Sequence, residues 1–185
     1  MISKSLVELI NSGEAIAIVG SGISADAGLP SWGTLFESVA NALDAKSLNT
    51  EESRVVAKKG RLPEAFDLLA ALTSRDDIHR RTAEIVEKVA TPGDHHNRLA
   101  DWPFRIHATT NYDHLIEEAS GGQLVSVGNR GNELHKMAGG ANGVAWHLHG
   151  GSRLSKDVSQ LVVTKSDYDD YYPDSNMVQT PCVFG

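Results

Sequence analysis

Cysteine is almost absent from this chain. Cys182 stands alone, so no disulfide can close within one copy and no four-cysteine zinc site can be built. Basic residues are outnumbered, 17 lysines and arginines against 24 acids for a formal net charge of −7. That balance argues against a nucleic-acid binder that works by neutralising phosphates. Long apolar runs are missing too, since nothing approaches the roughly 20 residues a membrane-spanning helix needs. The N-terminus reads as an amphipathic helix rather than a signal peptide, with Leu6, Val7, Leu9 and Ile10 interrupted by Glu8. A reducing cytoplasm is the expected compartment. Aromatic residues are few, at 6%, so each tryptophan is worth placing. What is present suffices for a folded unit: 185 residues with 41% hydrophobic content suit one domain with a core of its own.

The most informative stretch runs from Gly20 to Trp32. It follows Ala15-Ile16-Ala17-Ile18-Val19, a continuous apolar run of the kind that forms a buried parallel strand. Gly20 and Gly22 allow the backbone to turn tightly and approach a ligand with no Cβ in the way. Ser24 and Asp26 then open a polar turn suited to a helix N-terminus, where free N–H groups favour an anion. Strand, glycine loop and helix start together point to a phosphate-bearing ligand. The usual dinucleotide fingerprint is not met, because Ala25 stands where a third glycine is required.

Elsewhere the pattern alternates strand and helix. Ser5-x-x-Glu8 reads as a capping box and Gly13 as a helix stop. Thr34 is placed to cap a helix with Leu35, Phe36, Val39, Ala40 and Leu43 on one side. Three charged helices follow, over 51–59, from Pro63, and from Ser74. They make a helical insertion, set at about 35–100, whose functional reading is a wall or lid over a cleft and whose plainer reading is packing. Further strands are expected at 104–109, 123–127, 144–148 and 161–164, and a short capped helix at 166–172, with its Asp167–Tyr172 cluster in solvent. The expected fold is α/β, a Rossmann-like parallel sheet flanked by helices, and the whole of 1–185 is taken as one domain. Polar clusters sit at three strand ends: Gly20–Asp26, Thr110–Asp113 and His147–Gly151. In an open parallel sheet ligands bind at that edge.

Three segments in order, Gly-Ser-Gly-Ile-Ser-Ala-Asp-Ala-Gly-Leu-Pro from Gly20, Thr-Thr-Asn-Tyr-Asp ending at Asp113, and Leu-His-Gly ending at Gly150, resemble the sirtuin family. Leu29-Pro30-Ser31-Trp32 and Val163-Thr164-Lys165-Ser166-Asp167-Tyr168 look like the sirtuin-like NAD hydrolases of bacterial anti-phage defence. The resemblance spans roughly residues 15–172, and the family's loop also has alanine at the position of Ala25. Two departures separate the chain from the protein deacylases. Trp32 and Gly33 stand where deacylases carry an arginine, and the cysteines of their zinc ribbon are absent. A third concerns extent: the family's last helix and strand, which hold the adenosine half of NAD, are not found, so the C-terminal part of the fold is expected to be missing.

The resemblance implies an NAD glycohydrolase that uses NAD as substrate and needs no metal, with gating by homo-oligomer formation or by a partner protein. The amides of Gly20, Ser21, Gly22, Ile23 and Ser24 and the helix start would hold the diphosphate, and Asp26 and Thr110 would also belong to the NAD site. Asn111 would orient the ribose, Asp113 would accept from the nicotinamide carboxamide, and His149 would serve as general base. The competing readings are an NAD-dependent protein deacylase and a catalytically silent NAD or ADP-ribose sensor. Each residue also has a plainer role. Asn111 suits an N-cap, and Asp113 suits the first turn of a helix, where it opposes the dipole. His147, two residues before His149, points to the same side in a regular strand and is the second candidate for the base. His79, His95, His96 and His107 show no persuasive ligand spacing and read as surface or core histidines. Trp32 reads as packing beside the pocket.

Overall fold

The computed structural model describes residues 3–88, 91–129, 143–153 and 160–173. In chain order these form α1 (Lys4–Asn11), β1 (Ile16–Val19), a 3-10 turn (Ser21–Ser24), α2 (Trp32–Asp44), α3 (Glu51–Ala57), α4 (Leu62–Leu72), α5 (Arg75–Val86), α6 (Asp94–Ala100), β2 (Ile106–Thr109), α7 (Leu115–Ala119), β3 (Val125–Val127), β4 (Val144–His147) and α8 (Lys165–Tyr171). The strands make one parallel sheet in the order β1-β2-β4-β3, flanked by helices in the Rossmann-like manner. Val19 pairs with Thr109, and Thr109 with His147. The C-terminal ends of three adjacent strands therefore lie level, and the turns that follow them open at one edge of the sheet. No helix among the described residues is long and apolar enough to cross a membrane.

Five helices separate β1 from β2. The face read for α2 is the buried one: Leu35, Phe36, Val39, Ala40 and Leu43 are all sequestered. Phe36 meets Phe66 of α4 edge to face, ring centroids 5.3 Å apart, and burying each ring contributes about 1.5–3 kcal/mol. The same core continues into Tyr112, Leu161 and Val163, so the helices pack over the edge where the strand-end turns open. α5 is also tied to α8. His79 Nε2 donates to Asp167 Oδ2 at 2.7 Å, and Arg75 Nη1 donates to Asp170 Oδ2 at 2.6 Å.

Several expectations give way here. β1 alternates between exposed and buried residues, with Ile18 84% exposed, because no described element covers that face of the edge strand. No α-helix starts straight after the glycine loop; the 3-10 turn is followed by further turn, and α2 starts only at Trp32. Ser31, not Thr34, caps α2, its hydroxyl accepting from the Thr34 amide at 3.2 Å. Ser3, not Ser5, caps α1. Residues 161–164 are buried but form no strand. Their polar groups are used elsewhere: Asp167 Oδ2 accepts from the Val163 and Thr164 amides at 3.0 and 2.8 Å, and Tyr112 Oη donates to the Val162 carbonyl at 2.7 Å. That cap, with His79, buries Asp167, so it is not part of a solvated cluster. Burial alone would raise its pKa; the bond from His79 and those from the amides outweigh burial and lower it. Residues 89–90, 130–142 and Cys182 lie outside the described residues.

Candidate functional site

The turn after β1 and the turn after β2 are joined through one buried hydroxyl. Ser24, 1% exposed, donates to Asp113 Oδ2 at 3.0 Å. It accepts from Asn111 Nδ2 at 3.0 Å. Its third neighbour is His96 Nε2 at 3.1 Å. His96 Nδ1 accepts the Gly93 amide at 3.1 Å, so the proton sits on Nε2 and points at Ser24. Ser24 Oγ thus donates once and accepts twice, with nothing left over. This hydroxyl holds the site together from inside and has no free lone pair to offer a phosphate.

The amide of Asn111 is oriented by this arrangement. Nδ2 also faces the Gly20 carbonyl at 3.3 Å, and a carbonyl only accepts, so nitrogen and not oxygen lies on that side. Among the described residues Oδ1 has no partner, and Asn111 lines the cavity. The capping role considered for Asn111 is not the one it plays: the residue before α7 is His114, and Asp113 Oδ1 accepts the Leu115 amide at 3.1 Å. Asp113 therefore serves its helix start and faces the cavity as well.

The cavity encloses about 280 Å³, at the small end of the range for ligand pockets. Ser21, Ser24, Thr110, Asn111, Asp113 and His149 all reach it, and so do Trp32 and Tyr168. Gly20, Gly22, Ile23 and Asp26 do not line it. Asp26 instead accepts the His95 amide at 3.4 Å, clasping the glycine loop to α6. Gly93 permits that clasp, since a Cβ there would lie 2.6 Å from the Asp26 carboxylate.

His149 sits half-buried in the turn after β4, its ring edge-on to Tyr168 with centroids 5.2 Å apart. Its ring nitrogens have no hydrogen-bond partner among the described residues, and burial lowers its pKa. Its carbonyl accepts the Val162 amide at 2.9 Å. The next residue, Gly150, has φ +78°, and a Cβ there would fall 2.5 Å from the Gln160 carbonyl oxygen. Gly150→Ala is therefore expected to cost more than the roughly 1–2 kcal/mol of left-handed backbone alone. A thermal melt followed by circular dichroism checks this; an unchanged midpoint would mean that the turn adapts freely.

His147 is placed quite differently. It is fully buried, with Nδ1 3.1 Å from the Asn111 carbonyl and Nε2 2.8 Å from Glu117 Oε1, so neither nitrogen is free to take a proton from water. Burial opposes charge on its ring, but the Glu117 carboxylate outweighs burial and raises its pKa. Burial likewise opposes ionisation of Glu117, and hydrogen bonds from His114 and His147 reverse the effect and hold it far below the carboxylate range. His114, Glu117 and His147 have a spacing that could grip a metal ion, their ligand atoms lying within 4.8 Å of one another. The protons fit a different use. The Arg153 amide donates to His114 Nε2 at 3.1 Å, so Nδ1 carries the hydrogen and gives it to Glu117 at 3.0 Å. A cation would have to displace those protons first.

His96, Glu117 and Tyr168 are constituents of the site or its support that the sequence did not single out. His96 stands three residues after Gly93, a spacing from which a side chain reaches back to a helix start. Glu117 is an acid flanked by Leu115, Ile116 and Ala119 on a short apolar helix. Tyr168 was hidden in an acidic segment that resembles solvated surface.

Comparison with known proteins agrees with the motifs. Residues 105–183 match the family model of the SIR2-like domain. The chain is 28% identical over 173 residues to "NAD(+) hydrolase ThsA" of Acinetobacter baumannii (strain 532279), covering 92% of this chain and 33% of that protein. It is 25% identical over 177 residues to "NAD(+) hydrolase ThsA" of Enterococcus faecium, covering 95% and 35%. The chain thus spans about a third of the length of the curated relatives it matches. The SIR2-like match over residues 105–183 takes in two of the three strand-end motifs, Thr110–Asp113 and Leu148–Gly150.

Proposed function

We propose that the chain is an NAD glycohydrolase, cleaving NAD to nicotinamide and ADP-ribose. The observation that carries the reading is the Ser24 hub. It turns the Asn111 amide and the Asp113 carboxylate onto the cavity that His149 also lines. The relatives named as NAD(+) hydrolases support it.

The chemistry follows from the bond that breaks. Nicotinamide leaves C1′ of the ribose with the bonding electron pair and becomes neutral, so it needs no general acid. Charge develops on the ribose through an oxocarbenium-like transition state. Asn111 Oδ1 accepts from a ribose hydroxyl and orients the sugar, and Asp113 accepts from the carboxamide. Water adds to C1′ and gives its proton to His149, whose ring is neutral because burial depresses its pKa. Ser21 and Thr110, exposed at the rim, stand where the diphosphate would leave the cavity. The glycine loop's backbone at Gly20, Gly22 and Ile23, with Asp26 bracing it, shapes that rim. Trp32 and Tyr168, with ring centroids 6.3 Å apart, supply an aromatic wall that limits bulk water. We place the protein in the cytoplasm on its scarcity of cysteine, and in bacterial anti-phage defence, gated by assembly, on the motif resemblance.

The test is nicotinamide release from NAD by the purified chain, followed by chromatography. Nicotinamide and ADP-ribose are expected in equal amounts. No release above the blank, together with a melting midpoint raised by ADP-ribose, would replace hydrolysis with sensing.

A further inference from the structure

Behind the cavity wall, one ring spans two parts of the fold. His147 ends β4, and its two nitrogens face acceptors of different kinds. Nδ1 faces the backbone carbonyl of Asn111 at 3.1 Å. A carbonyl oxygen only accepts, so Nδ1 carries a proton. Nε2 faces Glu117 Oε1 at 2.8 Å. That oxygen also receives the His114 ring proton and the Ser126 hydroxyl. Two donors aimed at it hold Glu117 as an ionised carboxylate, which can only accept, so Nε2 facing it is protonated too. On its other side Asn111 is held by β2, its amide donating to Thr109 Oγ1 at 3.0 Å.

We propose that His147 is a positioning residue for the hydrolysis proposed above: as an imidazolium bridging Glu117 and the Asn111 carbonyl, it fixes the Asn111–Tyr112 peptide and so aims the Asn111 side chain into the cavity. The clamp works from three elements at once: Thr109 from β2, His147 from β4 and Glu117 from α7. A charged donor holds a carbonyl more firmly than a neutral one. The charges nearest the ring, Glu117 and Asp113, are both acidic and favour the doubly protonated form. The His114 ring packs beside it, its centroid 4.6 Å from that of His147. Asn111 is thus set by a residue that never touches substrate.

Two substitutions separate positioning from bulk stability. In His147→Asn the side-chain amide nitrogen falls near the place of ring Nδ1 and can still donate to the Asn111 carbonyl. In His147→Gln it falls near Nε2 and serves Glu117 instead. Both are expected to lower the melting midpoint. His147→Gln is expected to lose about tenfold or more in kcat for NAD with KM changed by less than about twofold, and His147→Asn to restore most of that loss. Equal kcat losses in the two, or losses that track their melting midpoints, overturn the proposal. The ring ¹⁵N spectrum of the wild-type chain gives a readout independent of turnover. Both nitrogens of His147 should stay protonated as the pH rises past the ordinary histidine pKa of about 6.5, and a ring that loses its second proton at or below that value overturns the proposal. The inference rests on the hydrolase reading, yet the two fail separately: nicotinamide release by the wild type tests that reading, and the ring spectrum tests His147 whether or not NAD is cleaved.

Discussion

Replacing Asn111 with alanine is expected to lower kcat for nicotinamide release by about 10²-fold or more, the scale on which misplacing a reacting group acts. Two losses combine. The ribose loses the acceptor Oδ1, and the glycine loop loses the Nδ2 bonds to Gly20 and Ser24. Two missing buried hydrogen bonds should cost about 1–3 kcal/mol in stability, which a melt detects. Asn111→Asp separates the contributions. It keeps an acceptor towards the cavity but sets an oxygen against the Gly20 carbonyl and adds a charge close to Asp113. It should therefore lose both stability and rate, which a mere loss of the ribose contact would not cause. Steady-state kinetics and melting on the same preparations decide the matter. A kcat for Asn111→Ala within about threefold of wild type removes Asn111 from the mechanism.

His149→Ala is expected to cost about 10²- to 10⁴-fold in kcat, the usual contribution of a positioned general base. The pH profile gives the sharper test. Burial lowers the pKa of His149, and a base must be neutral to accept a proton. Activity should therefore be flat through neutral pH and fall as the pH drops through that lowered pKa. The acid limb should lie below the ordinary histidine value of about 6.5 and vanish in the residual activity of His149→Ala. A limb that persists unchanged in the variant assigns the titration to another group. Stability carries the opposite sign for His147. Its pKa is raised in the fold, so its contribution is fully present below the unfolded value and is lost as pH rises through the folded one. The two histidines, two positions apart, are thus separable by which measurement responds and on which side of the ordinary histidine pKa of about 6.5.

Much of the local structure was legible. The apolar face of α2, the proline-led start of α4 and the Ser74 cap of α5 follow from spacing and capping chemistry, which act over a few residues and need no knowledge of the rest of the chain. Where the reading slipped, a tertiary partner was at work. Leu161 to Thr164 has the composition of a strand, but Asp167 and Tyr112 take its polar groups. The run 15–19 has the composition of a doubly buried strand, but only one of its faces is covered among the described residues. Asp167 sits among acids and tyrosines that look like solvated surface, yet His79 draws it inside.

The sequence by itself picked out three strand ends with polar clusters, and placed Asn111, Asp113 and His149 at them. Those motifs are short, and each is written in consecutive residues. Only the tertiary structure decided how they work together. Ser24 meets Asp113 across 89 residues and His96 across 72, and a pattern read along the chain carries no information about such pairs. It also separates the two histidines of the last motif by their surroundings. His147 and His149 are alike in sequence, but one is closed between Glu117 and the Asn111 carbonyl while the other opens on the cavity. Protonation depends on what surrounds a ring, and the surroundings come from β2, α7 and α8, elements that only folding brings to the same edge of the sheet.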